Sequence, residues 1–365
     1  MAKYIYQYPN WPEFSWKDKE VQPLLGQVRH SQGKLMGMMS TLGFKIQSDT
    51  LLSVLTMDVV KSSEIEGEML NIDQVRSSVA RKLGIDYAGI IPSSRHVDGV
   101  VDMLLDASQH YEQPLDEERL FGWHSALFPT GRSGLYKITV GCYRSEEMQI
   151  VSGAIGNEKI HYQAPSPEHL TNEMHDFLKW FNEDSSLDLV LKAAIAHFRF
   201  IIIHPFDDGN GRIARALTDL LLARSDGSAQ RFYSLSSQIL LERNKYYEVL
   251  QKCQSNSGDI TEWIIWFLNC LTRSLDASEK TLNQILLKAK FWDKHNDTSL
   301  NARQRLMLNR ILDGFDGKLK SSKWAKIAKC SADTALRDIK DLIDKGILKQ
   351  ESSGGRSTNY EIAEF

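Results

Sequence analysis

The sequence predicts a mainly α-helical protein with one small β-hairpin region. Three observations carry that prediction. Apolar residues recur at spacings of three and four along most of the 365 residues, the period of an amphipathic helix. Alternating runs rich in β-branched residues are sparse. Apolar residues make up 42% and charged residues 25%, a globular balance that excludes a disordered chain, a collagen and a coiled-coil rod.

The elements follow in order. The first sixteen residues hold Tyr4, Tyr6, Tyr8, Trp11, Phe14 and Trp16. Aromatics bury large area wherever they land, so this stretch predicts an arm packed on the core. Helical spacing predicts helices over 51–61, 97–109, 168–182, 187–201, 213–224, 243–254 and 260–287. Segments 136–144 and 149–162 are short, Gly-punctuated and polar, and predict the hairpin region. Three blocks are expected: an N-terminal helical block over 1–110, a helical core over 111–290 and a small module over 299–365.

Net charge is −3, so no global basic field draws the chain to nucleic acid or anionic lipid. No apolar run approaches the ~18 residues of a membrane span, and the first residues lack the apolar region of a signal peptide. Cys142, Cys253, Cys270 and Cys330 lie far apart, a spacing that fits neither a zinc site nor a disulfide framework. A reduced cytoplasmic location with no membrane partner is the expectation.

The stretch 201–215, IIIHPFDDGNGRIAR, is the densest in chemistry. An apolar helix runs into His204, and Pro205 breaks it. Asp207, Asp208, Gly209, Asn210 and Gly211 form a tight loop in which glycine permits close backbone approach. A second helix starts near Gly211, so its free N–H groups and dipole make an anion site. Arg212 and Arg215, three apart, project on one side and can hold phosphate oxygens. Asp208 offers a hard oxygen ligand for Mg²⁺ or Mn²⁺ shared with phosphates, and His204 offers a base titrating near neutral pH. Together they suit phosphoryl or nucleotidyl transfer. A dinucleotide fingerprint is excluded because no strand directly precedes Gly209, and a P-loop because its lysine motif is absent. A polar helix–helix turn with a buried histidine would explain His204 alone but not the whole constellation.

Residues 204–215 resemble, at every fixed position, the signature of the Fic family, H-x-F-x-[DE]-G-N-G-R-x-x-R. The resemblance implies a Fic-type helical core and transfer of AMP from ATP to a hydroxyl side chain (Ser, Thr or Tyr) of a target protein. His204 would be the base, Asp208 the metal ligand, and Gly209, Asn210, Gly211, Arg212 and Arg215 the nucleotide site. Ser62-Ser-Glu-Ile-Glu66-Gly67 resembles the family's inhibitory motif, [ST]-x-x-x-E-[GN], which sets Glu66 against Arg215. Residues 152–165 resemble the family's flap, with Ile160 and His161 in contact with the nucleotide and the hairpin edge open to an extended target segment. Tyr247 resembles the adenosine-side member of an aromatic pair, while Tyr246 is expected in the core. Gln254 and Asn256 are weaker adenosine candidates.

In the last module, helices are expected over 306–312, 322–328 and 331–343, with Ser322 and Ser331 as N-caps, then a two-stranded wing. This resembles a winged helix-turn-helix. Residues 300–365 carry 13 basic and 9 acidic residues, net +4, a hint of nucleic acid. The candidate recognition helix argues otherwise, because Arg337 and Lys340 face Asp333, Asp338 and Asp341 on it. Protein contact or a homodimer is the alternative role. The function expected is an autoinhibited protein adenylyltransferase able to modify itself. Its rivals are a nucleotide-sensing DNA-binding regulator, and a Fic enzyme that removes AMP or transfers another phosphate-linked group.

Overall fold

A computed structural model describes residues 4–87, 89–152, 159–184, 186–312, 317–351 and 358–364. Two compact units divide the chain, Met1–Ser278 and Glu279–Phe365.

The first unit carries helices α1 (Asp18–Ser40), α2 (Phe44–Ile65), α3 (Ile72–Leu83), α4 (Arg95–Gln109) and α5 (Glu117–Leu127). Two short hairpins follow, β1 (Arg132–Ser133) with β2 (Tyr136–Lys137), then β3 (Gln149–Ser152) with β4 (Lys159–Gln163), both antiparallel. Helices α6 (Pro167–Asn182), α7 (Leu189–Ile203), α8 (Asn210–Asp226), α9 (Leu235–Leu241) and α10 (Arg243–Gln254) come next, then α11 (Thr261–Lys294), which continues past Ser278 into the second unit.

Helices α7 and α8 form the centre. Every residue of α7 from Val190 to Ile203 is buried, which explains its continuous apolar run. Asp188 caps α7 by accepting from the Val190 N–H at 2.8 Å. Around the pair lie α2, α4 and α5, and α2 also packs on α3 and α9. The aromatic arm lies on this core. Phe14 meets Phe198 edge-on at 5.6 Å, Tyr4 meets Tyr162 at 5.1 Å, and the Trp11 indole N–H donates to Glu173.

Four helices carry sequence patterns that glycine, proline and polar residues obscure: α1, α3, α5 and α9. In α1, Val21, Leu25, Val28, Leu35 and Met39 keep a buried stripe although Pro23, Gly26, Gly33 and Gly37 interrupt it. The strand expected over 136–144 is two residues long. Beyond it the backbone is held by the central loop and α5 instead of a strand partner: the Thr139 N–H donates to Asp207 at 2.8 Å, and the Gly141 N–H to His124 Nδ1, on α5, at 3.2 Å.

The second unit contains α12 (Ala302–Leu312), α13 (Ser321–Ile327), α14 (Ala332–Asp344) and the antiparallel hairpin β5 (Leu348–Gln350) with β6 (Tyr360–Ile362). Trp324, Met307, Leu308, Ile339 and Leu342 fill its core. Ser331 caps α14 through the Thr334 N–H. Ser322 does not cap α13, because the helix begins one residue before it and the cap position is Lys320. The tip of the expected wing, 352–357, lies outside the described residues. Asp338 is paired with Arg303 at 2.8 Å, and Asp341 with Lys345 at 2.6 Å.

Candidate functional site

The site forms where α7 ends and α8 begins. Pro205 cannot continue α7, and His204 turns the chain in the left-handed conformation at φ 50°. Its N–H still donates to the Phe200 carbonyl at 2.9 Å. The His204 Nδ1 lies 3.3 Å from the Ile201 carbonyl. A carbonyl only accepts, so the ring proton sits on Nδ1 and Nε2 is left as an acceptor. Burial lowers the His204 pKa to about 4, with help from the nearby Arg144 charge. The sequence expectation of titration near neutral pH is corrected accordingly, because a loop histidine was read without its burial.

Asn210 shapes the turn. Its side chain accepts from the Phe206 N–H at 3.0 Å and donates to the Phe206 carbonyl at 2.8 Å. Both ends of its amide are therefore engaged on the loop. Gly209 has φ 83°, and a Cβ there would meet Phe128 at 2.9 Å. Asp208 accepts from the Gly209 N–H at 2.6 Å and from the Ser133 hydroxyl. His124 is fully buried, accepts the Gly141 N–H at Nδ1 and donates from Nε2 to the Asp208 carbonyl at 3.2 Å. Burial drops its pKa to about 4, which keeps it neutral for that tautomer.

The α8 arginines meet acids from the end of α2. Arg215, 1% exposed, donates from Nη1 to Glu66 at 2.8 Å, from Nε to the Ser62 hydroxyl at 2.9 Å and from Nη2 to the Ser62 carbonyl at 2.8 Å. Burial works against its charge, but Glu66 overrides that and raises its pKa. Arg212 donates to Glu68 at 2.7 Å and lies 5.0 Å over the Phe128 ring. Burial raises the Glu68 pKa, yet the hydrogen bond from His96 and the Arg212 charge prevail and lower it. Gly67 ends α2 at φ 85°, and Arg243 fixes the end by donating to the Ile65 carbonyl at 2.7 Å. Glu66 and Gly211 touch so closely that a Cβ on Gly211 would lie 2.1 Å from the Glu66 carboxylate.

Two cavities flank Glu66. One of about 450 Å³ is lined by His204, Gly211, Tyr246, Tyr247, Gln251 and Gln254 among others. The other, of about 770 Å³, is lined by Asp208, Arg212, Arg132, Ser133, His96 and Glu68 among others. Among the described residues only Glu66 lines both. Tyr247 reaches Glu66 at 3.4 Å, and burial and the Glu66 charge raise its pKa to about 12. Tyr246 is buried and its hydroxyl pairs with His197 at 2.9 Å. Asn256 is used within its own loop, donating to the Asp259 carbonyl and accepting from the Gly258 N–H. Ile160 is exposed on β4, and the side chain of His161 lies outside the described residues. Sequence reasoning missed His124, Ser133, Arg144 and Glu68. No motif marks them, because each joins the site through a distant element.

Comparison with known proteins agrees with this geometry. Residues 114–222 match the Fic/DOC family, and residues 4–85 match a Domain of unknown function (DUF4172). A Protein adenylyltransferase Fic from Nematostella vectensis is 25% identical over 225 residues, 60% of this chain and 47% of that protein. One from Culex quinquefasciatus is 30% identical over 225 residues, 60% of this chain and 40% of that protein. The chain thus spans less than half the length of these curated relatives. A Fic family protein from Desulfovibrio desulfuricans superposes with a TM-score of 0.55 at 19% identity, covering 97% of this chain and 98% of that one. A Fic domain containing signaling protein from Bacteroides thetaiotaomicron has a TM-score of 0.51 at 22% identity, over 72% of this chain and 98% of that one. These two speak for the fold alone. The full signature at the α7–α8 junction lies within the segment, 114–222, that matches the Fic/DOC family.

Proposed function

We propose that this protein is an autoinhibited protein adenylyltransferase. The observation that carries the reading is the junction of α7 and α8: an acceptor nitrogen on His204 beside a nucleotide-sized cavity, opposite an arginine locked by Glu66. ATP occupies the cavity with its adenosine toward Tyr247, while the phosphates lie over the first turn of α8. There the Gly211 and Arg212 N–H groups, lacking intrahelical acceptors, stabilise negative charge as it develops. A Ser, Thr or Tyr hydroxyl of the target attacks the α-phosphorus. The new O–P bond forms as the bond to the β-phosphate oxygen breaks, and pyrophosphate leaves with that electron pair. His204 Nε2 takes the hydroxyl proton. β-strand addition along β4 presents the target segment.

Asp208 fits a Mg²⁺ or Mn²⁺ ion shared with substrate. It offers carboxylate oxygens to a cavity lined also by Arg132 and Arg212, where phosphates and water would complete the ion's coordination. Such an ion would supply neutralisation of phosphate charge. Glu66 occupies Arg215 Nη1, so that group does not reach the phosphates and ATP binds out of line for attack. For residues 299–365 we propose protein contact, since the acids of α14 oppose phosphate approach.

The test is incubation of the Glu66→Gly variant with α-labelled ATP and Mg²⁺. Label on the chain itself or on lysate proteins, with AMP found by mass on Ser, Thr or Tyr, is the expected result. A variant that binds ATP and transfers nothing would refute AMP transfer. Release of AMP from a modified target would favour the reverse reaction.

A further inference from the structure

Arg144 is buried, at 3% exposed, yet no carboxylate forms an ion pair with it among the described residues. An arginine taken out of water without a counter-ion is costly, so its partners matter. Among the described residues all of them are backbone carbonyls. Nε donates to the His204 carbonyl at 2.8 Å, Nη1 to the Glu146 carbonyl at 2.8 Å and Nη2 to the Pro165 carbonyl at 2.5 Å. Its own N–H donates to the Pro205 carbonyl at 2.9 Å. Glu146 lies just before β3 and Pro165 just after β4, so one planar group ties both roots of the hairpin to the turn that carries His204.

The last carbonyls of a helix lack intrahelical donors, and Pro205 removes a further N–H from this turn. The ending of α7 is completed from the hairpin side. Tyr162, on β4, donates its hydroxyl to the Ile202 carbonyl at 2.6 Å, next to the Ile201 carbonyl that faces His204 Nδ1. Tyr162 is itself held by Tyr4 and Tyr6 of the N-terminal arm, at 5.1 and 6.3 Å between rings.

We infer that Arg144, seconded by Tyr162, is a positioning residue that fixes His204 in register with the hairpin on which the acceptor hydroxyl is presented. The inference rests on the adenylyltransferase reading above. A guanidinium is needed because three carbonyls in different directions require a rigid fork, which a lysine ammonium does not offer. The contribution is geometric, and misplacement of about 1 Å costs on the order of 10²-fold in rate.

The experiment compares Arg144→Lys with its parent, both in the Glu66→Gly background. Three quantities are read: the single-turnover rate of self-labelling from α-labelled ATP, ATP affinity by calorimetry, and the ¹⁵N signals of the His204 ring. The expected result is a rate about 10²-fold lower, ATP affinity within about threefold, and loss of the single Nδ1–H tautomer. A rate within about twofold of the parent overturns the inference, as does a fall in rate matched by an equal fall in ATP affinity. A parent that labels nothing refutes the adenylyltransferase reading instead. The ring signals then still decide this one, because an unchanged tautomer in Arg144→Lys overturns it. If Arg144→Lys does not fold, Tyr162→Phe, which removes one hydroxyl, takes its place. A several-fold lower rate, or a disturbed tautomer, at unchanged ATP affinity supports the inference, and a parental rate and tautomer overturn it.

Discussion

Replacing Glu66 with Gly isolates the lock on Arg215. The substitution removes the carboxylate that accepts from Arg215 at 2.8 Å, while the two bonds from Arg215 to Ser62 remain. Arg215 thus keeps its place and gains a free Nη1. The magnitude follows from burial. The Arg215 side chain is 2% exposed and the Glu66 side chain 32% exposed. A fully buried pair loses ~3–5 kcal/mol when one partner goes, and an exposed pair is worth no more than ~1 kcal/mol. A half-shielded pair lies between, at about 1–2 kcal/mol. If that energy holds ATP out of line, its release speeds transfer about tenfold, each ~1.4 kcal/mol being a factor of ten. Glu66→Asp keeps the charge but is one methylene shorter, so it activates in part. The assay measures transfer of label from α-labelled ATP and ATP affinity by calorimetry on all three proteins. Equal rates for the parent and Glu66→Gly would refute the lock. Rates rising only in proportion to affinity would mean that Glu66 excludes ATP instead of misaligning it.

Further outcomes follow from the same geometry. His204→Ala in the Glu66→Gly background lowers transfer by ~10²–10⁴-fold with ATP binding retained, because only the general base is lost; labelling at the parent rate would remove His204 from that role. Gly211→Ala places a methyl 2.1 Å from the Glu66 carboxylate, so it lowers Tm by about 2 °C or more in the parent and by clearly less in the Glu66→Gly background; equal shifts in both would show that the methyl meets something else. Burial lowers the pKa of His204 and His124 to about 4 and of His197 to about 3. The unfolded chain binds these protons near pH 6.5 and the fold does not, so stability is full above pH 6.5 and declines as pH falls toward 4; the urea midpoint at pH 5 lies below that at pH 7.5. Over the same range His204 stays neutral, so kcat/KM keeps its base-limited plateau to about pH 5, and an acid limb centred at 6.5 would contradict the burial argument. Passed over duplex DNA at about 50 mM salt, the full chain flows through; retention with a steep salt slope would make the last module a nucleic-acid reader.

The sequence by itself determined the helical class and the local geometry of residues 204–215. A twelve-residue signature fixes a loop, a helix start and the spacing of two arginines through local geometry, so nothing distant is needed to read it. The same holds for Ser62 and Glu66, whose spacing is that of one helical turn. What only the tertiary structure decided is what those groups face. Arg144 looked like the end of a strand and is a buried clamp on His204, because its partners lie on segments 21 and 60 residues away. Glu68, which no motif marks, is bound to Arg212 across 144 residues. Asn210 looked like a nucleotide contact, yet both ends of its amide bond the turn itself. The pKa of His204 was hidden as well, since it depends on burial and on the charge of Arg144. Periodicity and motif spacing record a residue's own turn of helix or loop. Desolvation and ion pairing depend on which distant backbone arrives beside it, and that is settled only when the chain packs.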